Sequence, residues 1–569
     1  MSVPVKVKGR SLSDFGDLLD AEKLLLSNCG RGTPLRLGAA KPCTPTSTNH
    51  IRGEFLRFLL LGADGSVTIH ERGIQISFAY VSGILDLEFA SVLHGFFAQG
   101  CFFEGALKCS RADFKRDVGF FKSSISGLAA HGISVAGNLD LRDIESKGGI
   151  TLDGAKINGS LNFSGASIDG CGSWAISGKD ACIQGDALLS RNFKAVGGVN
   201  LFCAKITGQL NCNSGSFSNE GYALAADGIK VGSGVFLCRG FKSRGEVRFV
   251  GADIEGQMSL QGARLKARSG QAFSADRIRI NGSLYLDQGF QAKGLVSLKG
   301  ARISAQLSCR GARITGRSVR SISADRLVVE GSVFISEGFY AKGRVSFVGA
   351  KISGDLCLRG ARKIEELSSA RMEVKGSLIV RNLENPLSKV SLAGARVTAL
   401  NDDALSWGDH LLLNGFVFSQ LDVHNSMSVK DRVGWLEKQC ASLPRRTNTK
   451  LDKLQTFLPQ PWQQLKSVLE DMGRTEDARE IGIEYERHRV KCGQIGLTSR
   501  DVGGSAAGCE LRSCQNAALF LRKTNRLRLP SYATRTLVFG CVASYNSALL
   551  VCSQPRCCIC PQRPVDFSK

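Results

Sequence analysis

Apolar and polar residues alternate over short stretches along most of this chain. Ile278 and Ile280, Leu284 and Leu286, Val296 and Leu298, Ala301 and Ile303, and Leu307 and Cys309 follow one another in steps of two. Runs of this period predict short strands with one buried and one outward side, not helices. Between the runs stand Gly282, Gly289, Gly294, Gly300 and Gly311, which let a strand turn a corner at positive φ without a Cβ clash. Short strands joined by glycine corners make coils. One coil cannot bury its inward row alone, so the next must stack on it at roughly 4.8 Å and close a continuous apolar interior.

The pattern is also written repeatedly. GADIEGQMSLQGA at 251–263 returns as GAKINGSLNFSGA from Gly154, GARISAQLSCRGA from Gly300 and GAKISGDLCLRGA from Gly349. The anchoring alanines are Ala155, Ala204, Ala252, Ala301, Ala350 and Ala395, nearly even in spacing until a shorter last step. A second passage keeps the same step, as DGIKVGSGVFLCRGF from Asp227, DRIRINGSLYLDQGF from Asp276 and DRLVVEGSVFISEGF from Asp325. A fixed period of this size predicts a mainly β fold, a β-solenoid of stacked coils with a 49-residue super-repeat. The solenoid is expected over residues 65–425, each unit supplying two coils of unequal length. The Gly-Ala pairs predict tight corners lined by an alanine ladder, and Phe241, Phe290 and Phe339, which recur at one position, predict an aromatic ladder inside.

The flanks change period. Residues 1–64 are expected to be a capping region, because IRGEFLRFLLL at 51–61 has helical spacing and an open sheet end must be covered to prevent end-to-end growth. After the solenoid, 426–496 predicts a helical hairpin, with one helix over 462–472, a stop at Gly473 and a second helix opened by Thr475 with Glu476 and Asp477 in its first turn. From 497 to 569 neither period is sustained, and the expectation is an irregular, disordered tail rich in cysteine and arginine.

Composition adds charge to this picture. Seventy-four Lys and Arg against 51 Asp and Glu give a net +23, which favours anionic partners. The opening segment, MSVPVKVKGRSLSDFGDLLDAEKLLL, carries charges where a secretory signal needs an apolar stretch, and TLVFGCVASYNSALLVC at 536–552 is too interrupted by polar residues to predict a membrane span. A cytoplasmic location is therefore expected. Cysteines at 212, 238, 309 and 357 stand where other copies carry apolar residues and are expected to point inward as small hydrophobes in a reducing compartment. Cys557 and Cys560 make one CxxC, but the second ligand pair of a zinc site is missing from the pattern. No metal, cofactor-binding or catalytic residue is assigned.

The phrase IRGEFLRFLLLGADGSVTIHERGIQISFAYVSGILDLE at 51–88, the GA-x-I-x-G-x-L-x-L units and PQPWQQLKSVLEDMGRTEDAREI at 459–481 resemble the large bacterial pentapeptide-like β-solenoid proteins. The resemblance covers roughly residues 20–496 and ends at about Ile495. Some members carry the label membrane-associated oxidoreductase, and many continue past the hairpin into hydrophobic helices. The resemblance thus implies a scaffold of bacterial type, with attachment to the periphery of the inner membrane as an alternative location. Oxidoreductase chemistry has no counterpart in the residues: the glycines lie between strands, not between a strand and a helix as dinucleotide binding requires, and the CxxC is not at a helix N-terminus.

Two kinds of function remain. The first is a non-enzymatic structural or interaction scaffold whose basic outer face binds an anionic membrane surface, a polyanion or a protein partner. Its candidate ladder is Lys156, Lys205, Arg302, Lys351 and Arg396, each following an anchor alanine, with Asp253 breaking the row, and a second column of Arg264, Arg313 and Arg362. Two coils per unit would space these cations by roughly 10 Å. The alternative for these residues is a solvated face. The second kind is a polysaccharide-acting β-helix enzyme, whose carboxylates would have to converge on one face. Asp227, Asp276 and Asp325 instead recur once per unit, where turn-capping aspartates are expected. DNA mimicry, known among pentapeptide-repeat proteins, needs the opposite charge.

Overall fold

The computed structural model describes residues 11–65, 67–422, 427–439 and 457–491. The expected irregular tail, its CxxC and the apolar stretch at 536–552 lie outside the described residues. The chain forms a parallel β-solenoid of about fifteen turns. Each coil gives two short strands to one sheet, here sheet A, and then two to a second, sheet B. One such coil runs through Lys156–Ile157 and Leu161–Asn162 in sheet A, then Ser167–Asp169 and Ile176–Ser177 in sheet B. Parallel pairing starts at Leu35–Arg36, which pairs with Ile76 and Ser77, ahead of residue 65.

The register resolves the 49-residue unit into two coils. From Lys156 the same column passes in turn through Cys182, Lys205, Lys230 and Asp253. It continues through Arg279, Arg302, Val328 and Lys351. Along this series a longer step alternates with a shorter one. Before it the coils are uniform and shorter still, the column passing from Ser91 to Asp113, Ser134 and Lys156.

The long coils spend their extra residues in sheet B. Ser216–Ala225, Arg264–Ser274 and Arg313–Ser323 are its longest strands, and their pairing jumps between Ser218 and Tyr222, between Lys266 and Gln271 and between Thr315 and Arg320. At each jump the backbone leaves the ladder and swings outward. Because this happens in every second coil, the projecting segments line up; Arg268 of one reaches Glu220 of the projection two coils away at 2.7 Å.

The core follows the same two-coil rhythm. At one corner the column reads Ala252, Ile278, Ala301, Leu327, Ala350, Met372 and Ala395, all buried. At another it reads Phe241, Ala263, Phe290, Ala312, Phe339 and Ala361, again all buried. Large and small residues alternate from coil to coil, so each bulky side chain overlies small neighbours and the interior fills at close packing. The recurrent phenylalanines are therefore inside, but spaced by alanines. Direct ring contact occurs at Phe193, Phe217 and Phe241, with centroids 5.4 and 5.1 Å apart. Cys212 and Cys309 are inward and buried, and Cys238 is buried at a corner, where its thiol donates to Ser259 O at 3.2 Å. Cys357 corrects the expectation: it follows inward Leu356 on a two-residue strand and takes the outward, half-buried side, as alternation demands.

Both ends are closed by helices. At the first coil, helix α1 (Asp20–Asn28) and helix α2 (Gly53–Leu60) bury Leu25, Phe55, Leu56 and Leu59 against the open end. Arg52 holds them together, donating from Nε and Nη2 to the two oxygens of buried Glu22 at 2.9 and 2.7 Å. Burial pushes the Glu22 pKa up, but hydrogen bonds from Arg52 and from the Leu19 amide outweigh it and hold the carboxyl below its usual value. At the last coil stand α3 (Val429–Glu437), α4 (Pro459–Asp471) and α5 (Thr475–Lys491). Helix α4 covers the final strand, Val417–Leu421, and grips its backbone: Gln460 Oε1 accepts from Gly415 N at 2.8 Å, and Gln464 Nε2 donates to Phe418 O at 2.8 Å. Arg432 of α3 pairs with buried Asp402 at 2.6 Å, and the Trp407 indole donates to the same carboxylate at 2.8 Å.

Candidate anion-binding faces

The aspartates come first, because they decide between chemistry and architecture. Asp227, Asp276 and Asp325 each accept a hydrogen bond from a backbone amide of the following coil, from Val250 at 2.9 Å, Lys299 at 2.9 Å and Val348 at 3.3 Å. Each also holds a side chain of that coil: Arg248 Nε at 2.6 Å on Asp227, the Ser297 hydroxyl at 2.5 Å on Asp276 and the Ser346 hydroxyl on Asp325. They tie one coil's corner to the next, as turn-capping carboxylates do.

The expected cationic ladder lies on the first strand of each coil in sheet A. Lys156, Lys205, Arg302, Lys351 and Arg396 are exposed and occupy one column, every second coil. The intervening coils contribute to that column too. Lys230 and Arg279 extend it, whereas Cys182, Asp253, Val328 and Glu373 interrupt it. With coils roughly 4.8 Å apart, the full column is a row of short cationic segments, not an unbroken ladder.

The second expected column belongs to sheet B, on a different side of the solenoid. Arg264 pairs with Gln291, Gln291 with Arg313 and Arg313 with Tyr340, whose ring lies 4.6 Å from the guanidinium. Arg362 does not complete this column. Tyr340 pairs with Lys363 instead, the amides of Arg362 and Lys363 both donate to Phe339 O, and Arg362 turns to Glu384 at 3.5 Å. The cause is one residue more between Ala361 and the next inward residue, Ile364, than between Ala312 and Ile314, which shifts the register by one.

Two residues along the same strands lies a column that the two repeated passages do not contain. Arg244 pairs with Lys266, and Lys266 with Lys293; one unit further, Lys342 pairs with Thr315. Arg244, Lys266, Lys293 and Thr315, but not Lys342, line a groove of about 1260 Å³ between the outer side of sheet B and the projecting segments, with Trp174, Asn219 and Arg268 among its walls. Glycine follows the cation in each short coil, at Gly245, Gly294 and Gly343, with φ of +121°, +145° and +112°. A Cβ at Gly245 would come within 2.5 Å of Asn219 O, and one at Gly294 within 2.9 Å of Ala272 N. Only glycine lets the base of each projection close down at this point. The Lys/Arg-Gly pair at 244, 293 and 342 repeats once per unit, in step with the two passages, and this is the signal through which the groove could have been found.

Among the described residues, Arg244, Lys266, Lys293 and Lys342 have no carboxylate within ion-pair distance. Some neighbours on the same sheet are paired: Arg248 with Asp227 at 2.6 Å, Arg344 with Glu366 at 2.8 Å and Lys363 with Glu365 at 3.3 Å. The groove therefore carries uncompensated positive charge, continued by Lys242, Arg264 and Arg313 on the same strands, which also lack a carboxylate within ion-pair distance among the described residues. Comparison with protein families, with curated proteins and with solved structures gave no match to this chain.

Proposed function

We propose that this protein is a non-enzymatic interaction scaffold whose solenoid presents a basic outer surface to an anionic partner. The observation that carries this reading is the cationic column at 244, 266 and 293, on three successive coils with no carboxylate within ion-pair distance among the described residues. Two further features support it. The recurrent aspartates are engaged in coil-to-coil capping, which leaves them poorly placed for acid/base work. Burial drives the thiols of Cys101, Cys109 and Cys309 up to about 12, which suits inert core residues, not thiol redox chemistry, and speaks against the oxidoreductase alternative. The likeness of sequence to bacterial pentapeptide-like solenoids agrees with a scaffold. Among the described residues no helix is long and apolar enough to cross a membrane, so a membrane partner would be met at its surface.

The test is salt-dependent binding. Full-length protein is titrated with acidic polysaccharide, single-stranded DNA and anionic vesicles over a range of ionic strengths, and native protein is fractionated to find what accompanies it. Affinity that falls steeply with salt for at least one anion supports the reading. Indifference to all three at low salt overturns it.

A further inference from the structure

We propose that the groove on sheet B is the binding site, and that its ligand is an extended acidic polysaccharide with one anionic group on each sugar; this rests on the reading that an outer face takes an anionic partner. The shape suits an extended ligand better than a compact one. A trough of about 1260 Å³ exceeds the usual pocket for a small molecule, roughly 300–1,000 Å³, and it runs along the rod from the loop at Trp174 past Lys293 to Thr315. Its cations come from three successive coils, so positive charge recurs in a straight line at roughly 4.8 Å. A fully extended glycan advances by a comparable step per sugar.

Nucleic acid fits less well. Phosphates along one strand of a duplex are spaced at roughly 3.4 Å and follow a helix, out of step with a straight column. Single strands are held by several aromatic side chains on which successive bases stack, and among the described lining residues Trp174 is the one aromatic. One half-buried indole, with Ser173 next to it in the chain and Asn219 further along the groove, suits a sugar ring with an apolar face and hydroxyl edges. The projections add a wall that the sheet A column lacks. Arg268 and Glu220, paired at 2.7 Å across the intervening short coil, tie two projections into a single rim.

The test compares two charge reversals in the full chain. One carries Arg244→Glu, Lys266→Glu and Lys293→Glu; the other carries Arg302→Glu, Lys351→Glu and Arg396→Glu. Calorimetry is run with oligogalacturonate, with an uncharged cello-oligosaccharide of equal length and with oligothymidylate, and circular dichroism confirms the β spectrum. If the groove triple fails to fold, Lys266→Gln with Lys293→Gln replaces it. Oligogalacturonate affinity reduced about tenfold to a hundredfold by the groove triple and by less than about threefold by the sheet A triple, with a smaller salt slope in the former, supports the assignment. Stronger loss in the sheet A triple, or equal loss in both, overturns the groove but leaves the anion-binding scaffold standing. Oligothymidylate binding tighter than oligogalacturonate overturns the glycan and not the scaffold. Binding of neither anion by the unmodified chain overturns the groove and its glycan, and overturns the scaffold too when anionic vesicles are also left unbound.

Discussion

The coils between Ser91 and Lys156 and those between Lys156 and Lys351 use the same strands and corners, yet the first keep one short length while the second alternate between a long form and one close to that minimum. The uniform coils show how little chain suffices to circle the core. The extra residues of the central coils serve the outside. They leave the ladder as projections, roof a cationic groove and impose on the core a matching alternation of large and small corners. The long period is thus the mark of a surface device, and the short coil is the structural minimum.

The largest expected effect lies outside the alternating region, at the closed end. Arg432→Met removes the guanidinium that neutralises the buried Asp402 carboxylate, while the Trp407 indole remains on it, and should cost about 3–5 kcal/mol. The same change in the exposed central pair, Arg268→Met, should cost no more than about 0.5 kcal/mol. Chemical denaturation of both variants decides the matter; a larger loss at Arg268 would mean that the projections are part of the stabilising frame.

Packing gives the next effect. Ala301 sits in the column between Ile278 and Leu327, so Ala301→Trp should overpack the corner by about 1–3 kcal/mol. Tolerance of tryptophan without a fall in Tm would refute the large-and-small alternation as a packing rule.

Glu246 tests the central coils through pH. It is buried, its Oε1 has no hydrogen-bond partner, and burial, with Asp227 and Asp276 nearby, pushes its pKa up. A raised carboxyl pKa means that the folded state holds the proton longer than the unfolded chain. Its contribution is therefore present at low pH and is lost as pH rises through the folded pKa. Leu295 occupies the equivalent position one unit on, so Glu246→Leu should stabilise by about 1–3 kcal/mol at pH 8 and by less at pH 4. An equal gain at both values would show that ionisation plays no part.

The smallest stability effect should come from removing a projection. Replacing 267–271 by a tight connection like that of the short coils should change Tm little, while opening the groove wall and weakening anion binding. A collapse of the fold would show that the short coil is not the minimum after all.

Much of this was legible in the sequence. The strand period, the two unequal coils, the capping aspartates and the helices at both ends all follow from local rules that repeat often enough to be read. The sheet A cations were legible as well, because they adjoin the anchor alanines. Arg244, Lys293 and Lys342 were not, since they stand in the stretch between the two repeated passages, and Lys266 alternates with Ser218 and Thr315 in the long coils. Cys357 was assigned to the wrong side by comparison with apolar residues in other copies, although Leu356 and Leu358 on either side of it are both buried and alternation turns the residue between them outward. The inserted residue at Lys363 similarly moved Arg362 out of its column. What a period cannot display is which outward columns share a face, because that depends on how the coil divides between two sheets.

The glutamines of α4 reach the backbone of the last coil, not its side chains: Gly415 and Phe418 are bound through amide and carbonyl alone. Every coil offers those groups in the same arrangement. A gene that gained or lost one pair of coils would present the same surface to the same helix, and the rod could lengthen or shorten in descent by duplication and deletion without inventing a new end. The number of turns is thus free to change while the two closures remain constant.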